Sequence, residues 1–283
     1  MKITFNCVPC IINNYLRLAR NGLIAGAEQE MILRRLLDFL SKVDYDQSPP
    51  VLGKKLQHLL REFTQDPDPY KKLKQKYNEI VSTLYPDLKR AVEVSSDPFD
   101  TAMRLAIIGN VIDFGSQYQF DLLETIERAL DAELAVDDSG DLRKALREAE
   151  TVLYIGDNAG EIVLDKLFLE TIGHAHVCYA VRGGAVINDA TLEDAFSVGI
   201  EKYAKVITTG DDAPGVVWET SSVEFKSAFE NSDVIISKGQ GNYEGLNNIK
   251  RDIYFLLVVK CDLIAKRIGV KEESLIAMRS TLT

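Results

Sequence analysis

The stretch Val152-Leu153-Tyr154-Ile155-Gly156-Asp157-Asn158-Ala159-Gly160-Glu161-Ile162 decides the fold. Its first four residues are apolar, which is the composition of a buried strand. Two glycines then bracket Asp157-Asn158-Ala159, and glycine beside Asp or Asn marks a tight turn. The segment Ile162–Ile172 reads as a helix. A strand that passes straight into a helix is the first half of a βαβ unit, because parallel strands need a crossover long enough to hold one.

The alternation continues downstream. Val177–Val181, Lys205–Thr208, Asp233–Ser237 and Ile253–Val259 read as further strands, with helices expected over Leu192–Val198 and Val223–Asn231. Right-handed crossovers turn such a series into a parallel sheet with helices on its faces. Upstream the rhythm differs. From about Cys10 to Glu150 apolar residues recur at helical spacing, as in Ile11-Tyr15-Leu18, Ile32-Leu36-Phe39-Leu40, Leu56-Leu59-Leu60 and Ile107-Val111-Phe114. Pro49-Pro50, Asp66-Pro67-Asp68-Pro69 and Asp97-Pro98 punctuate that pattern as turns or helix starts. The expected fold class is therefore α/β. A helical N-terminal domain over residues 1–150 precedes an α/β domain over residues 151–283, a three-layer α/β/α core with a mostly parallel sheet.

Bulk properties narrow the function. The chain has 283 residues, 46% hydrophobic and 27% charged, with a formal net charge of -10. Neutralising a nucleic-acid backbone needs a surplus of Lys and Arg, so no nucleic-acid partner is expected. Small anionic substrates need only a local positive pocket. No apolar run approaches the ~20 residues of a membrane span, and Met1 to Cys7 lacks the layout of a secretion signal. The expected compartment is the cytoplasm. Four scattered cysteines do not make a disulfide scaffold, and three histidines argue against a His-rich zinc site.

In an open parallel sheet, ligands bind beyond the carboxyl ends of the strands. Four segments should lie there: Gly156–Glu161, Arg182–Asp189, Thr208–Gly215 and Lys238–Gly245. All are Gly-rich and carry carboxylates, amides or a cation. Asp157, Asn158 and Asp189 offer the oxygen ligands that hard divalent cations prefer. The helix starting near Gly160 is expected to aim its N-terminal amides at an anion. Lys238 is expected to meet a phosphate as a point charge, and Arg182 as a fork. Metal, helix N-terminus and lysine together form a phosphoryl-transfer constellation.

These motifs resemble the damage-control phosphatase family, also known as domain of unknown function 89. The resemblance is carried by Gly156-Asp157-Asn158-Ala159-Gly160-Glu161, Arg182-Gly183, Asn188-Asp189-Ala190-Thr191 and Lys238-Gly239-Gln240-Gly241-Asn242-Tyr243-Glu244. Cys7-Val8-Pro9-Cys10 and Gly109-Asn110-Val111-Ile112-Asp113-Phe114-Gly115 resemble its prokaryotic branch. The resemblance implies a metal-dependent phosphatase of small phosphorylated metabolites, either sugar phosphates or damaged phospho-cofactors. It implies a divalent cofactor, Mn²⁺, Mg²⁺, Co²⁺ or Ni²⁺, on Asp157, Asn158 and Asp189. Asp157, Lys238 and Asn110 are the implied catalytic residues; Arg182, Lys238, Gly239, Asn242 and Glu161 are the implied substrate contacts. Whether Asp157 acts as nucleophile or only as ligand stays open.

Other signals point elsewhere. A non-catalytic phosphometabolite or nucleotide sensor would use the same pocket without turnover. Gly239-x-Gly241-x-x-x-Gly245, with Asp262 beyond, resembles a dinucleotide fingerprint. Against it, Gly245 to Ile253 leaves too little chain for a crossover helix. Cys7 and Cys10 form a C-x-x-C whose expected role is packing. His174 and His176 should sit at the amino edge of the sheet, and His58 in a core or boundary position.

Overall fold

The computed structural model describes residues 1–20, 22, 24, 26, 28–109, 130 and 132–280. Seven strands among these form one sheet: β1 (Leu134–Asp137), β2 (Val152–Ile155), β3 (Val177–Val181), β4 (Lys205–Thr208), β5 (Val234–Lys238), β6 (Ile253–Val258) and β7 (Leu275–Ser280). Their order is β1-β7-β6-β5-β2-β3-β4. All pairs are parallel except β6 with β7. The chain moves outward from β2 through β3 to β4, then returns to β2's other side as β5. Strand order thus reverses between β2 and β5, and a crevice opens beyond their carboxyl ends.

Period-two alternation divides the sheet's side chains between two cores. Val152, Tyr154, Tyr179, Ile236, Leu256 and Ala277 face one side, where they meet the Glu161–Ile172 helix and two helices from the N-terminal half. Leu153, Ile155, Ala180, Ile235, Phe255 and Ile276 face the other, against Phe225, Phe229, Leu246 and Ile264. Both faces being covered explains why β2, β5 and β6 read as continuous apolar runs rather than alternating ones.

The N-terminal half supplies α1 (Cys7–Arg20), α2 (Gln29–Ser41), α3 (Pro49–Thr64), α4 (Lys71–Val94) and α5 (Pro98–Ile108). The first three share a third cluster around Tyr15, Ile24, Leu36 and Leu60. The last two belong to the sheet: Val81, Leu88 and all of Leu105 to Ile108 lie in the first core. Asp97 caps α5 by accepting from Asp100 N, with Pro98 in the first turn.

Three expectations are corrected. Residues 134–137 were expected to be helical but form the edge strand β1, whose alternating exposure suits a strand covered on one face. The Lys238–Gly245 segment was expected to be a loop, yet Gly239–Leu246 is a helix, and it is the β5–β6 crossover. The chain between Gly245 and Ile253 therefore did not need to hold one. The glycines of that helix serve packing: a Cβ on Gly241 would lie 2.5 Å from Pro214 O, and one on Gly245 1.9 Å from Val216 O. They admit the backbone of the segment after β4, which is a different use from cradling a dinucleotide. Third, His58 is exposed, at 48% of its side chain, and meets Asp212 Oδ2 at 2.7 Å.

Candidate active site at the sheet switch point

The loop after β2 and the loop after β3 are tied together by backbone. Ala159 N donates to Asn188 O at 2.8 Å and Ala190 N to Asp157 O at 2.8 Å. Asn158 and Asp189 consequently form an isolated antiparallel bridge. The three residues expected to hold a metal are neighbours in space, although some thirty positions separate them along the chain. Gly156 permits this path, since a Cβ there would lie 2.4 Å from the Tyr179 hydroxyl.

Arg182 lies beneath them, 1% exposed. Its Nε donates to Asp189 Oδ2 at 2.6 Å, Nη2 to Asp157 Oδ1 at 3.2 Å and Nη1 to Asn242 Oδ1 at 2.9 Å. The guanidinium thus orients both carboxylates. Asn242 completes the brace: its Nδ2 donates to Gly156 O at 3.0 Å and Lys238 O at 2.8 Å, linking β2 to β5.

Lys238 ends β5 and is fully buried. Its ammonium donates to Ala106 O at 2.6 Å, Glu161 Oε1 at 2.6 Å and Asp165 Oδ1 at 2.7 Å. An ammonium has three donors, so a phosphoryl oxygen reaching Lys238 must displace one of these acceptors. Burial works against the charged ammonium, but Asp165 and Glu161 hold its pKa up to about 12. Asp165 also accepts from the Tyr154 and Tyr179 hydroxyls, each at 2.7 Å.

The amides at the start of the Glu161–Ile172 helix are used internally. Gly160 N donates to Asn78 Oδ1 at 2.7 Å, and Ile162 N to Asn158 O at 3.1 Å. The expectation that this helix end offers those amides to an anion is corrected accordingly. Asn78, on α4, also donates to Asp194 Oδ1 at 2.9 Å, so α4 braces both the loop after β2 and the helix Leu192–Val198 that follows β3.

The electrostatics are unbalanced. Asp157, Glu161, Asp165 and Asp189 form one hydrogen-bonded network with Arg182 and Lys238. Four carboxylates against two cations leave a deficit of two positive charges when all are ionised. Burial pushes Glu161 up to about 7 against the pull of Lys238, with Asp157 and Asp165 adding to the rise. Burial likewise pushes Asp189 up to about 7 against Arg182. Among the described residues no group of three His, Cys, Asp or Glu side chains is arranged to hold a metal. The available donor set is two carboxylates and the Asn158 amide. Asn158 Nδ2 donates to Asp157 Oδ2 at 2.7 Å and Glu161 Oε2 at 3.0 Å, and its Oδ1 accepts no hydrogen bond among the described residues. An oxygen-only set lacking two positive charges fits a hard divalent cation.

Asn110 lies outside the described residues. Gly109 before it packs on Glu161, where a Cβ would sit 3.0 Å from Cγ. Gly239 opens its helix at φ 75°. Asp165 and Asn78 escaped the sequence reading. Asp165 had a signal: with Glu161 it makes an i,i+4 acid pair in the otherwise apolar stretch Glu161-Ile162-Val163-Leu164-Asp165. Two buried acids on one helix face need a cation.

Known proteins resemble this chain over its whole length. The damage-control phosphatase ARMT1-like domain matches residues 3–276. "Damage-control phosphatase PH1575" of Pyrococcus horikoshii is 37% identical over 291 residues, covering 99% of each chain. A "Damage-control phosphatase" of Archaeoglobus fulgidus is 30% identical over 290 residues, covering 98% of this chain and 99% of that one. The crystal structure of a Pyrococcus horikoshii protein described as a DUF89 family member superposes with a TM-score of 0.92 at 36% identity, covering 99% of this chain and 100% of that one. The chain belongs to the damage-control phosphatase ARMT1-like family.

Proposed function

We propose that this protein is a divalent-metal-dependent phosphatase of small phosphorylated metabolites, with the metal on Asp157, Asn158 and Asp189. The observation that carries the reading is the Asn158–Asp189 backbone bridge, which brings together the two loops that bear these three residues. The charge deficit and the family membership support it. A divalent ion held there would polarise a phosphoryl oxygen and lower the pKa of bound water. Arg182 fixes the direction of both carboxylates and holds Asn242, which leaves two of its five N–H groups not needed for those contacts. Lys238 holds Glu161 in place and supplies positive charge close to the phosphoryl group. Asn110 is proposed as a further catalytic residue.

Hydrolysis of 4-nitrophenyl phosphate, with Mn²⁺, Mg²⁺, Co²⁺ or Ni²⁺ supplied singly, tests the reading. Turnover should rise with metal, stop with chelator, and fall at least ~10³-fold in Asp157→Asn with the circular dichroism spectrum unchanged. Full activity in that variant sinks the assignment. Acid-quenched trapping of a phosphoenzyme separates Asp157 as nucleophile from Asp157 as ligand.

A further inference from the structure

A cavity whose wall includes Ile187, two residues before Asp189, has no role in what precedes. It lies between α1, α2 and α3, encloses about 130 Å³, and is walled by Tyr15, Leu36, Leu56, Leu60 and Ile187. Ile187 belongs to the loop that carries Asp189. Its φ is 42°, a left-handed conformation that β-branched residues avoid. Strain of this kind persists only where the surroundings impose it, and it clusters at ligand clamps. Here the imposition comes from two sides: Asn188 O is held by Ala159 N, and the Ile187 side chain packs against the α1–α3 cluster.

Gln57 lines the same cavity. The residue as a whole is 7% exposed; its amide makes no hydrogen bond among the described residues, and its polar atoms stay open to the space they line rather than sealed in the core. The other polar groups on the wall are engaged: Tyr15 donates its hydroxyl to Gln29 O, and Asn14 has a partner of its own. Two residues of chain span at most about 7 Å, so the cavity wall at Ile187 and the Asp189 carboxylate are within reach of one small molecule.

We infer that this cavity receives the non-phosphate end of the substrate, and that this end is an apolar group bearing one amide- or hydroxyl-like function for Gln57. The inference rests on the phosphatase reading above and narrows its substrate class. A hexose, with a hydroxyl on nearly every carbon, would leave most of them unpaired against Leu36, Leu56 and Leu60. A small ring or branched chain would fill the space.

The test compares 2-phenylethyl phosphate, 2-(4-carbamoylphenyl)ethyl phosphate and glucose 6-phosphate as substrates, with inorganic phosphate as inhibitor. In the wild type both aryl esters should exceed glucose 6-phosphate in kcat/KM by at least tenfold. Leu56→Trp, which fills the cavity, should raise KM for both aryl esters at least tenfold and leave the inhibition constant of inorganic phosphate unchanged. Gln57→Leu, nearly isosteric, should favour the plain ring and penalise the carbamoyl ring. A preference for glucose 6-phosphate, or aryl KM values untouched by both substitutions, overturns the inference. If no ester is hydrolysed with any metal, the phosphatase reading falls. Calorimetric binding of 2-phenylethyl phosphate then decides the cavity's role: weakening in Leu56→Trp upholds it, and equal binding overturns it.

Discussion

Lys238→Met tests whether the lysine of the Lys-Gly-Gln-Gly-Asn run holds the site together or only waits for substrate. The side chain is fully buried and its ammonium touches Ala106 O, Glu161 and Asp165. Methionine matches the stem but removes the charge, leaving two carboxylates and a carbonyl without their donor. Breaking a buried ion pair by deleting one partner costs about 3–5 kcal/mol. With an unfolding entropy near 2.1 cal/mol/K per residue, a chain of this length loses roughly 5–8 °C of Tm for that cost. The assay is thermal unfolding followed by circular dichroism, in chelator, so that metal binding does not enter. Adding Asp165→Asn to the variant should recover part of the loss, because the second carboxylate then needs no counter-charge. A lysine that served substrate alone would behave oppositely: its removal would abolish turnover and leave Tm unchanged. A metal-free Tm within 1–2 °C of wild type would refute the reasoning, since that range corresponds to only about 1 kcal/mol.

Two further outcomes follow from the structure. Gly245→Ala places a methyl 1.9 Å from Val216 O, a backbone atom that cannot turn aside, so it should destabilise by about 1–3 kcal/mol, while Gly140→Ala, in open space, should not; urea unfolding compares them. Burial works against the Asp212 carboxylate, yet Arg61, His58 and Lys54 outweigh it and hold its pKa well below the usual range. A depressed folded pKa contributes stability that is complete above the unfolded value of about 4 and is lost as pH falls through the folded one. The stability gap between wild type and Asp212→Asn should therefore be present at about pH 5 and narrow below about 4; a gap that widens below about 4 contradicts the arrangement.

Much of this was legible in the sequence, and for definite reasons. Strands β2, β3, β5 and β6 are buried on both faces or nearly so, and their apolar runs announce them. That Asp157, Asn158 and Asp189 lie together was legible because a parallel sheet brings the ends of its strands to one edge. Strand β1 was hidden because it has four residues, half of them exposed. The Gly239–Leu246 helix was hidden because three of its eight residues are glycines, which lower helix propensity and serve a close backbone approach instead. The internal engagement of Lys238 and Gly160 N was illegible for another reason. Ala106 O and Asn78 come from α5 and α4, whose docking is set by long-range packing that local pattern does not encode.

The contact of Gly241 and Gly245 with residues 214–216 has a practical corollary for anyone modifying the protein. That stretch follows β4 at the busy rim of the sheet and has no slack, so a reporter or an added peptide there would pry the helix off its bed. The opposite rim is permissive. Around Gly173 to His176 the turn between helix and β3 is largely exposed, with open space beside Gly173, and it lies a full strand length from the carboxylates. Attachment to a bead or a fluorophore belongs there.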